Sequence, residues 1–546
     1  MNSMCKAIVL VFIFTSSVLA SGPGKVIRED ILVNTSWKFH KGDAEKALLK
    51  EFNDKNWTTL NLPHTWNNYD GQDGGGDFYR GTGWYRKQIF INSNHSEKNI
   101  YIQFDGSNRK TDVYVNGGFA GTHIGGFSRF RFNLTPFIKF GEKNLIAIRV
   151  NNEINNSIPV EGDFTFCGGL YRSVHLLITE KLHVDVMDYG SCGVYVNAGT
   201  DSDGAANIAI KVRASNDDEI QKKITLRTQI KDKRGITIKY LKSTEIISPG
   251  STISINQNTQ ITSPVLWNGV KDPALYAAKV EILEGEKVKD VVEQKFGIRN
   301  IKIDSEKGLF LNGRYLKLKG VNRHQDKKDK GWAISTRDQI EDMKVIGEMG
   351  ANAIRCAHYQ QDQLWYNLCD KNGMIVWTEV PFFGRALEND EFYLNAKQQL
   401  WEMIKQNYNH PSIAFWGIGN ETLEDSTVKL LKELNFEAHQ ADSTRPTTYA
   451  SNKKDEDPLN EITDVLAFNK YYGWYRENTE DFSNWLVQFH HKYPQRKTGI
   501  SEYGAGASVF QHENDPVQRS ADQPWHPEEN QTVFHEKTWN NLKDKE

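Results

Sequence analysis

Cysteine is scarce: the chain has five in 546 residues, and Cys5 lies in an N-terminal run read below as a leader. Cys167, Cys192, Cys356 and Cys369 show no CxxC spacing. That excludes a zinc ribbon or a disulfide framework as the organising device, so free, mostly buried thiols are expected. One-sided charge is missing as well. With 67 basic and 70 acidic residues the net charge is −3, and no long Lys/Arg block occurs, so neither nucleic acid nor membrane insertion is expected. After residue 20 no apolar run approaches the length needed to cross a bilayer.

What the chain does have is length and aromatic side chains. Its 546 residues exceed one hydrophobic core and suggest about three domains. Aromatics make up 11%, with 14 Trp, and Trp faces commonly stack on sugar rings, although any single Trp is better explained by packing. Residues 1–20 have the form of a secretory signal peptide. Lys6 supplies the positive charge, Ala7 to Phe14 an apolar core, and Ser17-Val18-Leu19-Ala20 a small-residue cleavage site. An exported product, periplasmic or extracellular, is therefore expected.

Three rhythms follow. Residues 21–178 are rich in short strands and turns, with Thr111 to Val115 running into the hairpin pair Asn116-Gly117, and predict a β-sandwich of jelly-roll type. Residues 179–298 alternate cleanly: Ile208, Ile210 and Val212; Ile224, Leu226 and Ile230; Tyr276, Ala278, Val280 and Ile282. Period-two burial with charged outer positions suits an immunoglobulin-like β-sandwich. Residues 299–546 switch to strands separated by helices. The strands are predicted at Tyr315–Val321, Asn352–Arg355, Met374–Trp377, Ile413–Gly419, Thr447–Ala450, Val465–Phe468 and Thr498–Ile500. Helices are predicted from Thr336, as N-cap, to Met349, over Gln363–Lys371 and over Ala396–Asn407. The first of these helices shows an apolar stripe of Ile340, Met343, Ile346 and Met349. Seven successive units of this kind point to a (β/α)8 TIM barrel. Thr532–Lys543 reads as the helix before an eighth strand that the sequence does not supply, so the barrel is expected to lack that strand and the chain to be a fragment or truncation.

Barrel chemistry sits where strands end. The predicted ends carry Asn322-Arg323-His324, Arg355 to His358, Glu379, Asn420-Glu421, Asn469-Lys470-Tyr471 and Glu502. Any one could be a loop-mouth polar residue; six strands ending this way is a pattern. Two carboxylates, Glu421 and Glu502, face each other across the mouth. Glycosidic cleavage needs such a pair, one to protonate the departing oxygen and one to attack or stabilise the anomeric carbon.

Trp416-Gly417-Ile418-Gly419-Asn420-Glu421 and Ile500-Ser501-Glu502-Tyr503-Gly504 resemble the acid/base and nucleophile motifs of glycoside hydrolase family 2. Gly320 to His324, Asn352 to Tyr359, and Asp163-Phe164 with Gly169 to Arg172 resemble further motifs of that family. The resemblance runs from about residue 30 to the C-terminus. It implies Glu421 as general acid/base and Glu502 as nucleophile. Asn420 would bind the sugar 2-hydroxyl, Tyr471 would stand beside the nucleophile, and Arg355, His324 and His358 would line the subsite. Asp163 would reach in from the first sandwich to the sugar's far hydroxyls. Departures are visible. Where some members hold magnesium with a Glu and a His after strand three, this sequence has Phe383 and Arg385, so no metal or other cofactor is expected. Where some have a His after the nucleophile, it has Ala505.

The expected activity is a retaining exo-β-D-galactosidase acting on oligosaccharide or polysaccharide-derived galactosides, because Ser501 to Gly506 with Gly320 to Asp326 looks most like exported β-galactosidases of the family. The run Asn469-Lys470-Tyr471-Tyr472-Gly473-Trp474-Tyr475 is glucuronidase-like and makes β-glucuronidase the rival; β-mannosidase is more distant. A non-catalytic carbohydrate-binding protein would have no use for two matched carboxylates. Whether the chain forms a homo-oligomer is left open.

Overall fold

The computed structural model describes residues 27–70, 78–160, 162, 164–423, 426–475 and 477–543. The signal-type run and Asp163 lie outside the described residues. The first unit pairs a four-stranded antiparallel sheet with a six-stranded one. Their inner faces meet in a core that includes Trp37, Ile100, Ile102, Phe104, Val113, Ile146 and Ile148. The hairpin forms at the predicted place. Lys110–Val115 pairs with Gly118–Ile124, and Asn116 and Gly117 both take positive φ, 53° and 89°, as a tight two-residue hairpin requires. In the second unit the alternating residues named above are all buried between two antiparallel sheets.

The third unit is built on seven parallel strands: β1 (Gly320–Asn322), β2 (Ala353–Cys356), β3 (Ile375–Glu379), β4 (Ile413–Thr422), β5 (Thr447–Ser451), β6 (Val465–Asn469) and β7 (Thr498–Glu502), hydrogen-bonded in chain order. Between them run helices α1 (Thr336–Glu348), α2 (Gln363–Asn372), α3 (Asp390–Asn407), α4 (Ser426–Ala441) and α5 (Thr479–Lys492), with α6 (Glu528–Leu542) after β7. Among the described residues β1 and β7 do not pair, so the barrel wall has a seam there. Asn322 reaches across it, donating from Nδ2 to the Ser501 carbonyl at 3.0 Å.

Several local expectations need correction. Of the predicted first strand only Gly320 and Val321 join the barrel, in a strand that runs on to Asn322; Tyr315 belongs instead, with Arg314, to a small antiparallel sheet with Ile301–Asp304 and Gly308–Leu311. That sheet, with Trp267, covers one end of the barrel through Leu309, Leu311, Ile375, Ala414, Phe415 and Val465. The N-cap of α1 is Ser335, not Thr336: the Ser335 hydroxyl and the Asp338 carboxylate form a reciprocal capping box. Of the predicted stripe, Met343 and Ile346 are buried, whereas Ile340 and Met349 are exposed. Helix α3 starts six residues earlier than expected, where Asn389 accepts from the Phe392 amide and Asp390 and Glu391 lie in the positive first turn. Gly373 closes α2 at φ 73°, and a Cβ there would lie 2.1 Å from the Gly269 carbonyl carbon, so only glycine fits.

The first sandwich docks beside the open end of the barrel. Phe127 stacks on Tyr359 with ring centroids 4.3 Å apart, Arg172 donates to Gln325 Oε1 and the Gln360 carbonyl, and His123 meets Glu402 at 2.8 Å. The four cysteines are free. No helix among the described residues is long and apolar enough to cross a membrane.

Candidate active site

Arg355 organises the mouth. It leaves β2 fully embedded, and its guanidinium fork spends every nitrogen: Nε and Nη2 on Glu379 (3.0 and 2.8 Å), Nη1 on Glu502 (2.5 Å), and Nη2 also on Asn420 Oδ1 (2.9 Å). The ring of Trp377, one strand over, lies 4.9 Å beneath it. Such a cation is tolerable inside a barrel because two carboxylates and a π face compensate it.

Glu502, at the end of β7, is held from three sides. Arg355 takes one oxygen, the Tyr471 hydroxyl donates to the other at 2.5 Å, and His358 Nε2 stands 3.8 Å away. Burial alone would raise its pKa. The charges of Arg355 and His358 and the hydrogen bonds from Tyr471 and Arg355 outweigh that, holding the carboxyl below the usual range and ionised. Tyr471 is pushed the other way, by burial and then by the Glu502 charge, and keeps its proton.

Glu421, near the end of β4, sits at φ 45°. A non-glycine residue in the left-handed region costs about 1–2 kcal/mol. The next residue is pinned on both sides, Thr422 N and Oγ1 contacting the Tyr449 hydroxyl at 3.0 and 2.9 Å. The Glu421 carboxylate receives Asn469 Nδ2 at 2.6 Å. Its pKa is raised, first by burial and then by the charge of Glu502, against the opposing pull of the Asn469 hydrogen bond. One carboxyl is thus poised to carry a proton and the other to carry charge.

The remaining predicted residues converge on the same place. Asn420 is shared by Arg355 and by Asn469 Nδ2 at 3.2 Å. His358 Nδ1 faces Glu379 Oε1 at 2.9 Å. His324 Nδ1 meets the Tyr359 hydroxyl at 3.0 Å, and its ring stands edge-on to His358 at 5.3 Å. From the first sandwich, Phe164 packs 5.1 Å from His324 and 6.3 Å from His358. A domain other than the barrel therefore contributes to the mouth.

Two functional residues escaped assignment from sequence. Glu379 stood among the strand ends with no role; it is 1% exposed and joins Arg355 to His358. A carboxylate inside the apolar run Ile375 to Val380 could have flagged it, since a buried charge needs a partner. Asn469 aims at Glu421 because its own Oδ1 accepts from Ser501 Oγ at 2.6 Å, which fixes the amide's orientation. No spacing in the sequence announces that contact. Glu379→Gln is expected to destabilise the fold by about 3 kcal/mol, since it leaves a buried cation under-compensated, and to lower kcat with little change in KM. Chemical denaturation and steady-state kinetics on one preparation check both.

Comparison with known proteins follows the three units. Models described as Glycosyl hydrolases family 2, sugar binding domain, Glycosyl hydrolases family 2, and Glycosyl hydrolases family 2, TIM barrel domain match residues 31–180, 192–299 and 301–515. A β-glucuronidase of Bacteroides fragilis is 40% identical over 94% of this chain and 73% of its own length. A β-galactosidase of Thermoanaerobacter pseudethanolicus is 32% identical over 81% of this chain and 58% of its own. A solved structure, Bacteroides uniformis β-glucuronidase 2 covalently bound to cyclophellitol-6-carboxylate aziridine, superposes with a TM-score of 0.90 at 33% identity, covering 95% of this chain and 63% of that one. The chain thus spans from 58% to 73% of the length of these relatives.

Proposed function

Because this chain belongs to glycoside hydrolase family 2, we propose that it hydrolyses terminal β-D-glycosides with retention, Glu502 as nucleophile and Glu421 as acid/base. The observation that carries the reading is the arrangement of the two carboxyls: Glu502 is gripped by Arg355 and Tyr471, Glu421 by Asn469, and Asn420 links the two sets, which agrees with the opposite directions of their pKa shifts. In the first step a Glu502 oxygen bonds to the anomeric carbon as the glycosidic C–O bond breaks, and Glu421 gives its proton to the departing oxygen. Ester formation removes the Glu502 charge, so the Glu421 pKa falls. In the second step Glu421 takes a proton from water, the water oxygen bonds to the anomeric carbon, and the ester to Glu502 breaks. In this reading Asn420 and Tyr471, which contact Arg355 and Glu502 respectively, bind the sugar beside these two groups.

For the sugar, we propose a β-D-glucuronide. The run Asn469 to Tyr475 supports it: Tyr471 touches the nucleophile, and Tyr475, largely exposed, stacks edge-on against Tyr471 at 5.1 Å. The β-glucuronidases among the relatives support it too. The second reading is the β-D-galactoside expected from sequence, favoured by Ser501 to Gly506 and by relatives of that activity. A panel of 4-nitrophenyl β-glycosides on the purified chain decides between them. We expect kcat/KM for the glucuronide to exceed that for the galactoside by about 100-fold, the effect of one charge-assisted hydrogen bond to the sugar carboxylate. A galactoside preference would reverse the assignment, and cleavage of neither would favour a carbohydrate-binding role. Proton NMR of the first-released sugar should show the β-anomer. Export is proposed on residues 6 to 20 alone; N-terminal sequencing of the mature protein tests it.

A further inference from the structure

Among the described residues, Arg109 is the most buried arginine that the mechanism does not use. It is 1% exposed, and among the described residues Nε, Nη1 and Nη2 all lack a hydrogen-bond partner. A guanidinium offers five N–H donors and does not readily give up its charge, and buried polar groups in folded proteins are as a rule satisfied. The other buried arginines among the described residues each place at least two nitrogens on carboxylates, amide oxygens or carbonyls, even where, as in Arg172 and Arg86, Nε is left over. Arg109 departs from this pattern.

Nor is Arg109 alone. Arg109 and Arg80 both lie against the ring of Phe166, at 5.6 and 5.3 Å from its centroid, and among the described residues neither forms an ion pair. Arg80 is only partly buried, so the pair opens to the surface on its side. Burial, with the Arg80 charge adding to it, lowers the Arg109 pKa only to about 10, so both are cations at neutral pH. Two uncompensated guanidinium groups around one ring repel each other and favour any anion that reaches them. The place is set by the backbone. Arg109 immediately precedes the strand Lys110–Val115 and Arg80 closely precedes Thr82–Ile91. Phe166 stacks on Phe383, whose strand segment pairs with Asn420.

We propose that Arg109 and Arg80 form a binding site for a single anionic group, a carboxylate or a sulfate, at the edge of the first sandwich next to the active-site mouth. The anion supplies the acceptors that Arg109 lacks, and the site exists whichever sugar the barrel cleaves. Its source is either a free inorganic anion or an acidic substituent carried on a sugar, and the two are separable.

The test is a thermal-denaturation series on the full chain, in potassium sulfate, potassium chloride, potassium D-glucuronate and D-glucose, the salts at matched ionic strength. Sulfate should raise the midpoint by about 3 °C over chloride near saturation. A matching rise with glucuronate, absent with glucose, assigns a site for sugar-borne acids; a rise with sulfate alone assigns one for free inorganic anions. Arg109→Met should abolish the rise and be at least as stable as the parent in chloride, because it removes an uncompensated buried charge. Equal midpoints in sulfate and chloride, or a sulfate rise that survives in Arg109→Met, would overturn the proposal. Should Arg109→Met not fold, Arg80→Met is read by the same criterion, with a sulfate affinity about tenfold weaker expected and an unchanged one contradicting the site.

Discussion

Glutamine in place of Glu502 is expected to reduce turnover by at least ~10⁴-fold on every substrate, including those with the best leaving groups. The reason lies in the bond that forms first. An amide is a poor nucleophile toward an anomeric carbon, and no improvement in the departing group creates the missing glycosyl ester. The substitution is nearly isosteric and Tyr471 can still donate to the remaining oxygen, so the fold should survive; Arg355 loses one of its two carboxylate partners. Circular dichroism with stopped-assay kinetics would establish both points. Residual activity within tenfold of the parent would remove Glu502 from the nucleophile role.

Glu421→Ala should behave differently, and the contrast identifies the roles. Loss of the acid costs about 10²–10⁴-fold on substrates with poor leaving groups, and little on 2,4-dinitrophenyl glycosides, whose leaving group needs no proton. The second step then becomes limiting, because water attacks without a base. Azide needs none, so sodium azide should restore much of the rate and release the glycosyl azide, whereas it should do nothing for Glu502→Gln. Identical responses of the two variants would refute the assignment.

The same pair predicts the parent's pH profile. Glu502 must be ionised, and its pKa is lowered, so activity should persist well into acid and fall only as pH drops through that lowered value. Glu421 must be protonated, and its pKa is raised, so activity should fall as pH rises through it. Asn469→Ala removes a hydrogen bond that favours ionised Glu421, so its alkaline limb should move to higher pH while the acid limb stays in place. A pH series of kcat/KM on both proteins checks the sign.

Much of this was legible in the sequence because the physics that writes it is local. Ile208, Ile210 and Val212 alternate because one face of a strand is buried, and Glu421 and Glu502 stand out because barrel strands deliver their ends to one side. The parts that escaped depend on neighbours far along the chain. Nothing around Asn469 says that Ser501 will orient its amide, and nothing around Glu379 says that Arg355 and His358 will both lean on it. The α1 stripe shows the same limit: periodicity marks a face but not how deeply it is covered, and Ile340 and Met349 stay exposed.

The seam between β1 and β7 bears on how Glu502 is held. Strands β2, β4, β5 and β6 are buried almost throughout, whereas β1 and β7 hold no fully buried residue. In native-state hydrogen exchange the inner amides should resist up to global unfolding, while those of β1 and β7 exchange through smaller, earlier openings. Glu502 therefore rides on one of the least protected strands of its sheet, facing Arg355 on one of the best protected. Its position depends less on the backbone ladder than on the grip of Arg355 and Tyr471, and a ligand that tightens that grip should slow exchange along β7 before anywhere else.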